Sequence, residues 1–242
     1  MNKGNNFYSN RVVYKPWGYE YVIYNDARKL AITLVCVNYG HKTSLHCHPK
    51  KKTAFIILEG RALVQIGIYR ENSKYFTSQS RLVFRPGLFH SIKAVSKKNV
   101  YALEFEAPYD KNDLLRFKDN YGRQTKDYEG KKFTKKITET DFIKFKKPKL
   151  EKKYIYTFNN LEVLIETTKN LKHLSKKYNK STSAILAGSI VDNRDQNAIS
   201  FGEVVKTSTL RILAKKFKIK EPITIMHVTK RKNKINTKNK FI

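Results

Sequence analysis

The stretch from Gly40 to Gly60 limits most sharply what this chain can fold into. It runs Gly-His-Lys-Thr-Ser-Leu-His46-Cys-His48-Pro, then three lysines, then Thr53-Ala-Phe-Ile-Ile-Leu-Glu-Gly. Side chains alternate along an extended strand, so His46 and His48 point to one face and Cys47 to the other. A neutral imidazole is the commonest metal ligand, and two on one strand face make half a site. A third histidine closes Arg85-Pro86-Gly87-Leu88-Phe89-His90. Gly87 permits a tight turn that aims His90 back inward. Three nitrogen ligands with one position left open form a catalytic metal site, so His46, His48 and His90 are the candidate ligands.

The surrounding pattern is one of short strands. Residues 30–38 are rich in β-branched side chains, 53–59 read as a buried strand ending at Glu59-Gly60, and 61–69 return from that turn. Residues 81–84, 90–95 and 99–106 read as further strands, and 11–24 as one or two strands about the Pro16-Trp17-Gly18 turn. Trp17 is the single tryptophan and is assigned to the core.

These residues resemble a known family. Gly40, His46-x-His48, position 53 and Gly60 have the spacing of the first cupin motif, and Gly87-x-x-His90 is similar to the core of the second. Lys15-Pro16-Trp17-Gly18-Tyr19 and Asp119-Asn120-Tyr121-Gly122-Arg123 resemble the opening and closing motifs of the cupin in type II mannose-6-phosphate isomerases, which are often fused to mannose-1-phosphate guanylyltransferases. The match spans roughly residues 11 to 123. It implies an all-β cupin (jelly-roll) barrel holding a divalent metal such as Zn, Mn or Fe. The sequence departs from that family at one ligand. The glutamate of the first motif falls at Thr53, so the ligand set is incomplete and rests on three histidines.

A metal-dependent sugar-phosphate isomerase of the mannose-6-phosphate type is the activity implied, in nucleotide-sugar or surface-polysaccharide precursor metabolism. Such a reaction moves a proton between adjacent carbons and needs a base close to it. Glu104 and Glu106 share one face of the last strand. Either they turn inward, where one replaces the missing carboxylate and serves as base, or they face solvent and pair with lysine. Lys50, Arg116 and Arg123 are candidate contacts for a phosphorylated sugar or nucleotide sugar, because cations match phosphate; a surface role is the alternative for each arginine. The competing functions are a non-catalytic cupin binding such a ligand, and another cupin enzyme, an epimerase or a dioxygenase.

The rest of the 242 residues divides by pattern. Residues 1–128 are assigned to the barrel, and the lysine-rich 129–153 to a linker, or to an arm with Phe142, Ile143 and Phe145 lying on a partner subunit. Residues 154–229 are assigned to a degenerate second cupin-like unit, because Ile185-Leu186-Ala187-Gly188 echoes Ile57-Leu58-Glu59-Gly60. That alignment puts Leu174 and Lys176 where His46 and His48 stand, so the second unit lacks the ligands. An unrelated α/β domain with a helix at 168–178 is the alternative, and His173 and His227 have no partner at ligand spacing. Residues 230–242 read as a basic disordered tail.

The net charge of +30 attracts anions. Lysine is nevertheless spread along the whole chain, without a basic stripe interleaved with aromatics, so composition rather than nucleic acid is its expected source. Two cysteines make no disulfide framework. There is no apolar run of membrane-spanning length and no signal-peptide pattern at the start, so a cytoplasmic protein with no membrane partner is expected. A homodimer through exposed barrel strands is the expected assembly.

Overall fold

The computed structural model describes residues 7–26, 29–138, 142–170 and 181–231. They fall into two units, Met1–Lys144 and Phe145–Ile242. The helix alternative at 168–178 falls mostly outside the described residues; Leu174, Lys176, His173 and the tail beyond Arg231 lie wholly outside them.

In the first unit, β1 (Arg11–Lys15) and β2 (Gly18–Asp26) form a hairpin across Pro16-Trp17, followed by β3 (Leu30–Val37), β4 (Leu45–Cys47), β5 (Lys52–Glu59) and β6 (Ala62–Ile66). Then come β7 (Ser73–Phe76), β8 (Arg81–Phe84), β9 (His90–Ala94), β10 (Val100–Ala107), β11 (Leu115–Lys118) and β12 (Thr134–Lys136). They pair antiparallel into two sheets, in the orders β12-β1-β2-β3-β10-β5-β8 and β11-β4-β9-β6-β7. This is the jelly-roll topology of a cupin barrel. Apolar side chains of both sheets meet inside, among them Val35, Phe55, Ile57, Val64, Phe84 and Ile92, with Trp17 beside them. Each such side chain removed from water stabilises the fold by about 1.5–3 kcal/mol.

The barrel unit extends past residue 128, which corrects the assignment of 129–153 to a linker. Glu129 is buried, β12 pairs with β1, and Phe142 packs on Tyr21 with ring centres 5.0 Å apart. Ile143 accepts a hydrogen bond from the Tyr21 hydroxyl at 3.3 Å. The segment's described residues up to Lys144 find partners on the barrel, whereas Phe145 belongs to the second unit and packs on Tyr156 there, with ring centres 4.6 Å apart.

The second unit contains β13 (Lys153–Phe158), β14 (Leu161–Thr168), β15 (Thr182–Ala187), β16 (Ser189–Val191), β17 (Asn197–Ser200) and β18 (Val204–Lys206). A helix, α1 (Thr207–Lys216), and the strands β19 (Lys218–Ile219) and β20 (Ile223–Lys230) complete it. Its sheets run β13-β14-β20-β15-β18 and β17-β16-β19. That is the order β2-β3-β10-β5-β8 and β7-β6-β9 of the first unit, repeated. The repetition reaches single hydrogen bonds. Ile57 accepts from Gln79 N–H at 2.8 Å and donates to Ser80, while Ile185 accepts from Gly202 N–H at 2.9 Å and donates to Glu203. The second unit is thus a degenerate cupin, and β4 and β11 have no counterpart among its described residues. It differs from an all-β expectation in α1, whose Leu210, Leu213 and Ala214, with Phe217 beyond its end, pack on Ile185 and Ile225. Their helical spacing is in the sequence.

Candidate metal centre

His46 lies on β4 directly opposite His90, the first residue of β9. His48 follows β4 by one residue, on the same face as His46. The turn before β9 is held to β4 by a hydrogen bond from Gly87 N–H to the His48 carbonyl, 2.9 Å. Gly87 has φ +76°, a left-handed conformation that glycine adopts freely. The outcome is three imidazoles whose facing nitrogens all lie within 4.8 Å of one another.

Their orientation is fixed from behind. Each Nδ1 bonds a backbone carbonyl: His46 to Ser44 at 2.8 Å, His48 to Asp113 at 2.6 Å, and His90 to Leu88 at 3.0 Å. The Phe84 ring stacks on His90 at 4.1 Å. An imidazole that donates through Nδ1 presents a lone pair at Nε2. The Nε2 atoms of His48 and His90 are buried and have no hydrogen-bond partner. Leaving such an atom unsatisfied costs about 1–3 kcal/mol unless something else occupies its lone pair. Burial, then His90, holds His46 well below the ordinary histidine range, and burial, then Lys51, does so for His48. Burial brings His90 down to about 4. All three are therefore neutral at neutral pH, the form that binds a cation. Three neutral imidazoles facing one point could hold a divalent metal ion.

Glu104 and Glu106 both turn into the barrel from β10. The Glu104 carboxylate stands 4.0 Å from His48 Nε2. Burial first, then the Glu106 charge, pushes its carboxyl up to about 8. Glu106 is a structural anion. It accepts from Lys51 at 2.6 Å, Lys111 at 2.8 Å and Thr33 at 2.8 Å. Burial works to raise the Glu106 carboxyl, but Lys111 and Lys51 outweigh it and hold it well below the carboxylate range. Thr53, opposite Glu106, is buried and its hydroxyl has no partner.

The cations of the chamber are committed to carboxylates. Lys111 also meets Glu20 at 3.5 Å, and Lys15 is bonded to Glu129. Arg123 pairs with Asp119 and Glu129, each at 2.6 Å. Arg116 lies 3.6 Å from Glu129 and donates to the Lys126 and Asp127 carbonyls. The structure therefore brings Arg116 and Arg123 to the chamber wall already paired. Lys50 lies outside with its side chain exposed, and only its backbone N–H is used, on the Asp113 carboxylate at 3.1 Å. Lys15, Glu20, Lys111, Tyr128 and Glu129 line or brace the chamber and escaped the sequence reading. Each is isolated from the histidines in sequence, and no spacing rule ties charged residues on separate loops together.

In the second unit, His227 stands where Glu104 stands in the first: opposite Leu164 and Ser183, as Glu104 is opposite Thr33 and Phe55. His227 is fully buried, 2.8 Å from the Ser183 hydroxyl and 3.3 Å from Glu166. Its Nδ1 meets the Ser183 hydroxyl and its Nε2 is buried beside the Glu166 carboxylate, so it is a core residue outside any histidine cluster among the described residues.

No protein-family model matches the chain, and no curated protein matches its sequence. Solved structures match it in part. KdgF from a Halomonas species is 14% identical over 40% of this chain and 84% of its own, with a TM-score of 0.35. A candidate sugar phosphate isomerase from Acidithiobacillus ferrooxidans is 21% identical over 34% of this chain and 53% of its own, with a TM-score of 0.31. CapF, a capsular polysaccharide assembling protein from Staphylococcus aureus, is 12% identical over 45% of this chain and 34% of its own, with a TM-score of 0.39. The chain thus spans about half the length of the second and a third of the third. Likenesses of this size carry nothing about substrate or residue roles.

Proposed function

We propose that this chain is a metal-dependent cupin enzyme that moves a proton on a phosphorylated sugar, an isomerase of the mannose-6-phosphate type. The observation that carries this reading is the convergence of His46, His48 and His90 with the Glu104 carboxylate 4.0 Å from His48. A divalent ion held by the three imidazoles would polarise the sugar carbonyl. Glu104, in its ionised form, would take the proton from the carbon beside that carbonyl and return it to the neighbouring carbon. Glu106, fixed by Lys51 and Lys111, would hold the strand that carries Glu104 in register. The resemblance of residues 11–123 to the isomerase cupins supports the substrate class.

A second reading has its own observation. Lys15, Lys51, Lys111, Arg116 and Arg123 all have carboxylate partners, and Thr53 stands where the family has its glutamate. That arrangement favours a cupin that binds a phosphosugar or sugar nucleotide without turning it over.

Proton exchange in D2O separates the two. Mannose 6-phosphate and fructose 6-phosphate are incubated with protein loaded with Zn, Mn, Co or Fe(II) and followed by NMR. Deuterium entering C1 or C2, and lost with chelator, with His46→Ala and with Glu104→Gln, supports the isomerase. No exchange with any of the metals removes that activity for these sugars and leaves the binding reading.

A further inference from the structure

His48 is held differently from the other two histidines. His46 and His90 stand in strands, opposite one another, and each bonds a carbonyl two residues back in its own segment, Ser44 and Leu88. Their orientation is local. His48 lies one residue past the end of β4, outside the ladder. Its Nδ1 bonds the carbonyl of Asp113, 65 residues further along the chain, at 2.6 Å. An imidazole that loses such an acceptor can turn about its side-chain torsions and take either tautomer.

Asp113 sits in the loop between β10 and β11, and its side chain is buried. Its carboxylate accepts the backbone N–H of Lys50 at 3.1 Å and of Lys51 at 2.8 Å. Two groups of one residue therefore act on one turn. The carboxylate grips the backbone that follows His48, and the carbonyl holds the His48 ring. Hydrogen bonds to an ionised acceptor are roughly twice as strong as neutral ones, so the grip is firm. A second tie runs beside it. The Lys51 ammonium donates to the Asp110 carbonyl at 2.9 Å and to one oxygen of Glu106 at 2.6 Å. Lys111 reaches the other Glu106 oxygen at 2.8 Å. Sliding residues 110–113 along 48–51 would break these buried charge contacts.

We propose that Asp113 is the positioning residue of the third histidine: its carboxylate, closed on the Lys50 and Lys51 N–H groups, sets its own carbonyl against His48 Nδ1 and so turns His48 Nε2 to the point that His46 and His90 face. The consequence for metal affinity rests on the metal reading of the three histidines; the hold on the His48 ring does not. A partner of this kind fixes tautomer and ring orientation, and its loss costs about 10–100-fold in metal affinity.

The test uses the full chain with isotope-labelled histidines, followed by NMR, and Zn as the metal probe. In the metal-free wild type, His48 carries its proton on Nδ1, in slow exchange with water. Asp113→Ala loses that slow exchange and binds Zn about 10–100-fold more weakly in a competition titration. Asp113→Asn keeps one oxygen acceptor, falls between the two, and serves where Asp113→Ala does not fold. His46 and His90 keep their Nδ1 protons in every variant, because their acceptors are local. Gly60→Ala, whose Cβ meets the Asn99 carbonyl at the opposite end of β5 from Lys51, is the control for lost stability and keeps the wild-type affinity. The proposal is overturned if wild-type His48 carries its proton on Nε2. It is equally overturned if folded Asp113→Ala keeps the His48 signal or binds Zn as tightly as the wild type, or if Gly60→Ala weakens Zn as much. A wild type that takes up no Zn removes the metal reading, and the His48 proton in the metal-free proteins then decides whether Asp113 holds the ring.

Discussion

His48 and His90 each bury an Nε2 atom with no partner while their Nδ1 atoms are held by backbone carbonyls. A cation is the occupant that completes both at once. Adding Zn or Mn should therefore raise the unfolding midpoint of the wild type, with a gain in unfolding free energy of about 2.7 kcal/mol at a hundred times the dissociation constant. His48→Ala should show no such gain, and elemental analysis should find its metal lost; a midpoint that ignores metal in the wild type would sink the site. Glu106 makes a different prediction. Glu106→Gln takes from Lys51 its carboxylate partner and leaves Lys111 the Glu20 carboxylate at 3.5 Å, and should cost about 3–5 kcal/mol near neutral pH. The sign of the pH effect follows from its depressed carboxyl. A group whose folded value is lowered gives stability that is present above its unfolded value and is lost as pH falls towards the folded one. Urea unfolding in chelator, from about pH 7 down to about pH 3, should show the wild type losing stability more steeply than Glu106→Gln. Equal slopes would mean that Glu106 does not titrate with folding.

At the scale of elements, the two units reuse one turn. Gly60 and Gly188 have φ of +83° and +76°. A Cβ on Gly60 would meet the Asn99 carbonyl oxygen at 2.4 Å, and one on Gly188 the Pro222 carbonyl oxygen at 2.9 Å. Backbone lies against both, so neither can be relieved by a side chain moving away. Gly87, with φ +76°, has open space around a Cβ. Gly87→Ala should cost only the left-handed penalty, about 1–2 kcal/mol. Gly60→Ala should cost clearly more, because the clash adds to the same penalty. Chemical unfolding of the two variants gives the order, and equal losses would show that the strand end shifts to make room. The same logic places α1: it has an apolar face at helical spacing and lies on the core where β9 and its turn begin in the first unit.

At the scale of the whole molecule, the candidate metal centre belongs to one unit. The three histidines, the carbonyls behind them, Glu104, and the buried ion pairs all lie between Lys15 and Glu129. The second unit repeats the strand order without a ligand set among its described residues. A chain ending at residue 144 should therefore bind metal with the stoichiometry of the full chain, as elemental analysis and a metal titration would report. Loss of metal in a folded fragment would show that residues 145–242 contribute to the site. Among the described residues no helix is long and apolar enough to cross a membrane.

The sequence by itself determined the barrel and the three histidines that converge inside it. Strand periodicity put His46 and His48 on one face, a glycine turn returned His90, and the Gly60–Gly188 echo marked the repeat. All of these are local patterns, set by a two-residue alternation or by a backbone angle that glycine adopts freely. Only the tertiary structure decided which carboxylate stands at the triad. Glu104 and Glu106 share a face in sequence, yet one meets His48 and the other is taken by Lys51 and Lys111, because those lysines arrive from distant loops. The same holds for Arg116, Arg123 and Lys50, whose charges look alike in the sequence and whose partners differ in space. Electrostatic roles depend on what lies within a few ångströms across the chain, and no periodicity along it records that.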